Sequence, residues 1–259
     1  FTEEQVELLI KCSDPKEGFL EFAKRFFYIQ HPVKGKCVFE PFEYQVSLLH
    51  SYHDHRFNVN MLPRQSGKTT TAACYLLWFA MFHPDQTILI AAHKYTGAQE
   101  IMQRIRYGYE LCPDFVRAGV INYNKGSMDF DNGSRIIAQT TTETTGRGMS
   151  ISLVYMDEFA FVEPQQKANE FWTSLSPTLS TGGKCIITST PNNDDDVFAG
   201  LWRGANKRVD EFGQPTRDGT GINGFKAIGV HWSEHPDRDE QWAKDERARI
   251  GEERFRREH

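Results

Sequence analysis

Apolar positions follow two kinds of pattern along the chain, and their alternation predicts the fold. Apolar runs lie at residues 87–92, 152–156 and 184–188, and residues 57–62 can form a further short strand. Runs of this length are typical of strands that are buried on both faces of a parallel sheet. Residues 71–82 and 97–112 have the length and composition of helices, and residues 127–138 have the alternation of a β-hairpin. Strands that alternate with helices predict an α/β fold with a mostly parallel, doubly wound sheet.

The two ends of the chain are more polar than this central region. Residues 1–30 predict two amphipathic helices, and a turn follows at residues 31–35. Residues 204–224 are polar and rich in glycine, which predicts a mobile loop. A short strand at residues 225–231 and a polar helix at about residues 236–251 complete the prediction.

Composition narrows the class of protein. With 259 residues, 39% hydrophobic and 25% charged, the chain is long enough for one large α/β domain. Its longest apolar run, residues 72–82, is too short to cross a bilayer, so we expect no membrane partner. The net charge of −5 does not indicate a nucleic-acid-binding protein, so any DNA contact would need local basic patches. Five cysteines without a Cys-x-x-Cys pair favour free thiols over a zinc site or disulfides.

The stretch between the first apolar strand and the helix that follows has the composition of a phosphate-binding loop. It reads Arg64-Gln65-Ser66-Gly67-Lys68-Thr69-Thr70. Backbone N–H groups of such a turn point at the β-phosphate of a nucleotide. Lys68 would bind the β- and γ-phosphates of ATP, and the Thr69 hydroxyl would hold Mg²⁺. Leu62 occupies the position of the usual first glycine, so on this stretch alone an ordinary strand-to-helix turn stays open.

A second group of candidate residues follows another apolar strand. Asp157 and Glu158 come directly after it, at the end of a parallel strand where ligands bind. Asp157 would order the Mg²⁺ shell, and Glu158 would take a proton from the water that attacks the γ-phosphate. Two solvated acids at a strand end are the alternative. Combined with Gly67-Lys68-Thr69, the pair favours nucleotide hydrolysis.

Two further groups of side chains, one before the phosphate-binding loop and one after the last apolar strand, fit the same site. Tyr44 and Gln45 could hold adenine, the ring by stacking and the amide by paired hydrogen bonds, although a buried aromatic at a helix start is the alternative. The hydroxyls of Thr188, Ser189 and Thr190 follow the last apolar strand, where they could sense the γ-phosphate or cap a helix.

Two arginines are candidates to neutralise charge in the transition state. Arg64 lies inside the loop, and Arg147 lies in a glycine-rich stretch at residues 144–148. A guanidinium placed beside the transferring phosphoryl group stabilises the charge that develops there.

These segments resemble the large terminase subunit of tailed bacteriophages. The resemblance lies in Arg64-Gln65-Ser66-Gly67-Lys68-Thr69-Thr70, Tyr155-Met156-Asp157-Glu158-Phe159-Ala160-Phe161 and Thr188-Ser189-Thr190-Pro191-Asn192. Shorter segments between residues 31 and 134 match in the same order, so the resemblance covers most of the chain. It implies a P-loop NTPase fold of the ASCE type with a small lid subdomain built from the chain ends.

The resemblance also implies a domain organisation. Residues 1–259 would form one ATPase domain with a nucleotide-binding core at about residues 39–205. Residues 1–38 and 215–259 would form the peripheral lid subdomain. The nuclease domain of the family would be absent, since the remaining acidic cluster at residues 194–196 is better explained as a solvated loop.

The implied function is an ATP-driven motor. It would move double-stranded viral DNA into a procapsid in the cytoplasm of an infected bacterium, as a homo-oligomeric ring with a portal protein and a small terminase subunit as partners. Tyr44 and Gln45 match the adenine motif of the family, and residues 188–190 match its coupling segment. Arg64 matches the position of an arginine finger that acts on ATP within its own subunit. Arg147 matches an arginine finger that acts on ATP bound to a neighbouring subunit.

Two other functions stay open at this point. A helicase-type ATPase shares the adenine motif, the Asp-Glu pair and the Ser/Thr triplet. A nucleotide-gated assembly or switch protein would bind ATP with negligible turnover. The pairing of Asp157 with Glu158 argues against the switch, because a protein that does not hydrolyse ATP needs no base.

Overall fold

The structure, a computed structural model, describes residues 1–142 and 144–259. The helices are α1 (Glu3–Cys12), α2 (Gly18–Phe26), α3 (Glu43–Asp54), α4 (Lys68–Phe82), α5 (Tyr95–Leu111), α6 (Gln165–Leu179), α7 (Val197–Asn206), α8 (Glu240–Ile250) and α9 (Glu252–Glu258). The strands are β1 (Tyr28–His31), β2 (Gly35–Val38), β3 (Phe57–Met61), β4 (Thr87–Ala92), β5 (Val120–Tyr123), β6 (Ser127–Phe130), β7 (Arg135–Thr140), β8 (Leu153–Asp157), β9 (Lys184–Ser189) and β10 (Lys226–Gly229).

Eight strands form one large sheet in the order β10-β3-β9-β8-β4-β7-β6-β5. The strands from β10 to β7 are parallel to their neighbours, whereas β7, β6 and β5 pair in antiparallel fashion. This arrangement confirms the α/β fold with a mostly parallel sheet. The strand β9 lies between β3 and β8, so the phosphate loop and the acidic pair are separated by one strand that contacts both.

Helices cover both faces of the sheet, which explains the continuous apolar runs. On β4, Ile88 and Ile90 pack into a core with α2, α3, α4 and α5, whereas Leu89 and Ala91 face a second core with α6 and α7. A strand with both faces buried is apolar at most of its positions. The helix α4 is apolar on nearly all sides because α2, α3 and α5 pack around it.

Both chain ends contact the central domain, and the expected peripheral subdomain stays a prediction. Phe19, Phe22 and Phe27 are fully buried in the first core, so much of residues 1–38 packs into the central domain. The strand β10, within residues 215–259, pairs in parallel with the outer side of β3 in the large sheet. The remaining C-terminal residues, 232–259, have a small core of their own around Trp232, Ala243 and Phe255. We call residues 232–259 the C-terminal segment.

Several elements have weak sequence patterns and were not predicted. The hairpin of β1 and β2 flanks the expected turn at residues 31–35. The strand β5 and the helices α6, α7 and α9 also lack a prediction, because their apolar residues are sparse or interrupted by polar ones. Asp196 was expected in a solvated loop, but it is buried and its carboxylate accepts a hydrogen bond from the Ala199 N–H at the start of α7. Among the described residues, no helix combines the length and apolarity needed to cross a membrane.

Candidate active site

Three strands of the sheet end at one edge and bring the predicted residues together. Met61, at the end of β3, pairs with Ser189 of β9, and Asp157, at the end of β8, pairs with Thr188 of β9. The carboxyl ends of parallel strands form the ligand-binding edge of such sheets. The phosphate loop, the acidic pair and the hydroxyl triplet therefore meet around β9.

The phosphate loop has the left-handed backbone that a tight turn needs. Gln65 has a φ of 55° and Gly67 has a φ of 72°. A Cβ atom at position 67 would lie 2.4 Å from Nε2 of Gln45. Glycine at position 67 is therefore favoured by its backbone angle, and a larger residue would also displace the Gln45 side chain of α3.

Tyr44 and Gln45 contact the loop directly. The Tyr44 hydroxyl and Nε2 of Gln45 donate to the Ser66 carbonyl at 2.7 and 3.1 Å, and Oε1 of Gln45 accepts from the Phe42 N–H at 2.8 Å. Burial raises the pKa of Tyr44 to about 12, so its hydroxyl remains a neutral donor. Both ends of the Gln45 amide are thus engaged within the protein, and the adenine role of these two residues stays a prediction.

Lys68 and Glu158 form a buried ion pair at the centre of the site. Nζ of Lys68 contacts Oε1 of Glu158, and only 9% of the lysine side chain and 24% of the glutamate side chain are exposed. Burial acts to raise the pKa of Glu158, but the charge of Lys68 and hydrogen bonds from Lys68 and Thr190 outweigh it and lower the pKa below its usual value. Glu158 is therefore ionised at neutral pH, as a proton acceptor must be.

Glu158 also contacts the hydroxyl triplet. Its Oε2 accepts from the Ser189 hydroxyl at 3.3 Å and from the N–H and hydroxyl of Thr190 at 3.2 Å each. Its backbone is left-handed, with a φ of 49°, which is uncommon outside glycine and found at functional sites. The candidate base is thus connected both to the phosphate loop and to the end of β9.

The pKa of Asp157 is shifted in the direction opposite to that of Glu158. Burial, and then the charge of Glu158, raise the pKa of Asp157 to about 6, although Lys68 and the Tyr155 hydroxyl oppose this. The Tyr155 hydroxyl donates to Oδ1 of Asp157 at 3.1 Å. Within the described residues, the fully buried Thr188 hydroxyl has no hydrogen-bond partner. A cation beside Asp157 would relieve the cost of this buried negative charge.

The donors at this edge fit Mg²⁺. Thr69, half-buried in the first turn of α4, offers a hydroxyl oxygen, and Asp157 offers a carboxylate. Oxygen donors from one or two side chains, completed by water and phosphate, are what Mg²⁺ prefers. The assignment of Thr69 and Asp157 as its holders stays a prediction.

The remaining loop residues have distinct surroundings. Ser66 is buried, and its hydroxyl has no partner in the part of the chain that the structure describes. The Thr70 hydroxyl accepts from Nη1 of Arg104 on α5 at 3.0 Å. Arg104 was not predicted from the sequence, because no motif marks it.

The two candidate arginines lie in different places. The Arg64 side chain is 53% exposed, and its Nε lies 3.7 Å from Oε1 of Glu258 in α9. Arg147 is exposed and lines a groove with Gln166, Asn169 and other residues of α6. Exposure suits a residue that acts on a neighbouring subunit, but neither finger role is tested by this geometry.

The C-terminal segment contacts the phosphate loop, which the sequence did not predict. The Arg64 N–H donates to the Glu258 carbonyl at 2.9 Å. Nη2 of Arg238, which precedes α8, donates to the carbonyls of Arg64 and Gln65 at 2.8 and 3.1 Å. Arg238 follows a His-Pro-Asp stretch without a recognisable motif, so no sequence signal was present.

Solved structures of phage proteins share this fold. The ATPase domain of the Thermus phage P74-26 large terminase is similar with 20% identity and a TM-score of 0.64, over 85% of this chain and 93% of that one. The HK97 bacteriophage large terminase is similar with 18% identity and a TM-score of 0.66, over 86% of this chain and 45% of that one. A large terminase from a thermophilic bacteriophage, in complex with ADP, is similar with 12% identity and a TM-score of 0.62, over 84% of this chain and 52% of that one.

At these identities the likeness shows a shared fold, and the family is shown by a separate match. Residues 59–259 match the family described as "Terminase large subunit, T4likevirus-type, N-terminal". This match covers most of the chain, including the phosphate loop, the acidic pair and the hydroxyl triplet. The chain therefore belongs to the family formed by the N-terminal part of large terminase subunits of the T4-like virus type.

Proposed function

We propose that this chain hydrolyses ATP and that hydrolysis drives the movement of double-stranded DNA during viral genome packaging. The observation that carries the proposal is the position of Glu158, which contacts Lys68 of the phosphate loop on one side and Ser189 and Thr190 on the other. Membership of the large terminase family supports a DNA-packaging role. The ADP complex of the thermophilic phage terminase supports nucleotide binding by this fold.

The chemistry would use water as the nucleophile. Glu158 accepts a proton from water, the water oxygen forms a bond to the γ-phosphorus, and the bond between that phosphorus and the oxygen of ADP breaks. The products are ADP and phosphate. Lys68 would exchange its contact with the Glu158 carboxylate for phosphate oxygens when ATP binds, which leaves the carboxylate free to accept the proton.

Thr69 and Asp157 would hold Mg²⁺, which neutralises phosphate charge when bound. Tyr44 and Gln45 would lie beside the adenine. The backbone N–H groups of Gln65, Ser66, Gly67 and Thr70 would contribute to phosphate binding together with the start of α4.

Hydrolysis would be coupled to movement through residues 188–190. Proton uptake removes the charge of Glu158, and this weakens the charge-assisted hydrogen bonds from Ser189 and Thr190. The end of β9 would thereby respond to the state of the nucleotide. Arg64 within the subunit, or Arg147 from a neighbouring subunit, would stabilise the transition state.

The proposed assembly, partners and location of the chain are those that the family resemblance implies. The chain would act in a homo-oligomeric ring on a procapsid, with double-stranded DNA, a portal protein and a small terminase subunit as partners, in the cytoplasm of the infected host. Ring formation would place the exposed Arg147 at a boundary between subunits.

The deciding experiment is phosphate release from ATP with and without DNA, for the wild type and Glu158→Gln. The glutamine keeps the shape and one acceptor oxygen but cannot take the proton. We expect the single-turnover rate to fall by about 10²–10⁴-fold, the range for losing a positioned base, while ATP still binds. The matched control is Glu211→Gln, an exposed acid in the loop after α7, which should hydrolyse ATP like the wild type. A Glu158→Gln rate within about threefold of the wild type would contradict the assignment.

A further inference from the structure

Arg238 connects the C-terminal segment to the phosphate loop. Only 8% of this residue is exposed, and its guanidinium packs over the Trp242 ring with 4.7 Å between the guanidinium carbon and the ring centroid. Its Nη2 donates to two consecutive loop carbonyls, those of Arg64 and Gln65. A planar fork held by an aromatic ring is a rigid donor, because few rotamers remain accessible to it.

These hydrogen bonds determine where the loop N–H groups point. In a trans peptide the carbonyl and the N–H of the next residue are antiparallel. In the described chain the one cis peptide bond is Glu163–Pro164, so the loop peptides are trans. Arg238 attracts the carbonyls of Arg64 and Gln65, and the N–H groups of Gln65 and Ser66 therefore point away from it.

The next peptide of the loop is held in the same manner from another side. The Ser66 carbonyl accepts from Tyr44 and Gln45, so the Gly67 N–H points away from α3. Three consecutive carbonyls are thus bound by side chains outside the loop. This leaves the N–H groups of Gln65, Ser66 and Gly67 as a row of donors for an anion.

The second terminal nitrogen of Arg238 is also enclosed by the protein. Its Nη1 is buried and has no hydrogen-bond partner among the residues that the structure describes. A buried guanidinium N–H without an acceptor is costly, so the position of Arg238 depends on the hydrogen bonds of its Nη2 and on its contact with the Trp242 ring.

We propose that Arg238 is a positioning residue of the nucleotide site: it orients the phosphate loop through the carbonyls of Arg64 and Gln65. The inference rests on the proposed function, because it concerns the site that would bind ATP. It assigns a role in nucleotide affinity to the C-terminal segment, which lies outside the sequence motifs.

The test compares Arg238→Ala and Arg238→Lys with the wild type. Arg238→Ala should raise KM for ATP and Kd for the fluorescent nucleotide mant-ADP by about 10–100-fold, the range for losing hydrogen bonds from a charged group. The rate at saturating ATP should change by less than about threefold, because Lys68 and Glu158 are untouched. Arg238→Lys should fall between, since an ammonium keeps the charge but not the fork. Added guanidinium ion should partly restore the affinity of Arg238→Ala.

The matched control is Arg256→Ala, which removes an arginine of the same segment that is 76% exposed and pairs with Glu252. This variant should keep the nucleotide affinity of the wild type. A purely structural role for Arg238 would reduce the fraction of active protein, so that kcat falls while KM and the mant-ADP affinity stay unchanged. That outcome would overturn the inference.

The remaining outcomes are also decisive. If Arg238→Ala does not fold, Arg238→Lys decides: wild-type KM and Kd contradict the inference, and raised values support it. Wild-type protein that neither binds mant-ADP nor hydrolyses ATP would overturn the proposed function and this inference with it. Wild-type turnover combined with unchanged affinity in both Arg238 variants would overturn the inference alone.

Discussion

The two ends of the parallel strands each hold a lysine whose exposure is reduced, and the partners of the two lysines differ. At the amino end of β9, Nζ of Lys184 donates to the His53 carbonyl at 2.8 Å and to the Tyr75 hydroxyl at 3.5 Å. At the carboxyl end of the neighbouring β3, Nζ of Lys68 contacts the Glu158 carboxylate. A backbone carbonyl is a fixed partner, whereas a carboxylate can be replaced by a phosphate that competes for the same cation.

The difference extends to the titration of the two sites. Burial lowers the pKa of Lys184 to about 8, because the nearby charge of Asp54 compensates only in part. At the other end, attraction by Lys68 overcomes burial and lowers the pKa of Glu158. The two lysines thus differ in their partners, since that of Lys68 is a charged carboxylate and those of Lys184 are neutral.

Substitution of each lysine in turn should give the largest difference in ATP hydrolysis between the two ends of the strands. Lys68→Ala should lower kcat/KM for ATP hydrolysis by about 10²–10³-fold, the range for losing one preorganised partner of the transition-state charge. Lys184→Ala should leave KM for ATP unchanged, because Lys184 lies at the opposite end of the strands. The measurement is steady-state phosphate release on protein shown to be folded by circular dichroism. A Lys68→Ala enzyme with wild-type kcat/KM would remove Lys68 from the site.

The pH dependence of stability sharpens the comparison at the amino end. The pKa of Lys184 is lower in the folded protein than its ordinary 10.5, so between about pH 8 and pH 10.5 the unfolded chain binds a proton that the folded protein does not. The wild type should therefore gain about 2–3 kcal/mol of unfolding free energy over this interval relative to Lys184→Met. Urea unfolding of both proteins at pH 7.5 and pH 10 provides the measurement. A difference in unfolding free energy between the two proteins that does not vary with pH would contradict the lowered pKa of Lys184.

The smallest expected effect concerns the buried carboxylate at the carboxyl end. The pKa of Asp157 is raised to about 6 in the folded protein, so its ionisation opposes folding at neutral pH. Asp157→Asn should increase the free energy of unfolding by about 1–3 kcal/mol at pH 7 without nucleotide, and this gain should disappear as the pH falls from about 6 to about 4. The same variant should require more Mg²⁺ for ATP hydrolysis. Loss of stability at pH 7 would contradict the electrostatic explanation.

Some features of this protein follow from its sequence alone. The strands β4, β8 and β9 were predicted to within one or two residues, because the central positions of strands buried on both faces are mostly apolar and stand out against polar flanks. Gly67-Lys68-Thr69 and the pair Asp157-Glu158 also stand out, since they follow apolar strands directly. Local patterns suffice for such features because the chemistry resides in neighbouring residues.

Contacts between residues far apart in the chain are visible only in the tertiary structure. The contact between Lys68 and Glu158 joins residues far apart in the chain, and it depends on β9, which lies between β3 and β8 in the sheet. The same sheet order brings Ser189 and Thr190 to the candidate base. No local pattern specifies which strands are neighbours, because strand order results from the packing of helices on both faces.

The hydrogen bonds from the C-terminal segment to the phosphate loop are the clearest example of contacts that the sequence did not predict. Arg238 is separated from Gln65 by most of the chain, and its neighbours in sequence form no motif. Its role depends on burial against Trp242 and on two loop carbonyls that are visible only in the folded protein. Local sequence patterns thus identify the candidate reactive groups and the strands that carry them, whereas the partners of these groups are visible only in the folded protein, because long-range packing sets them.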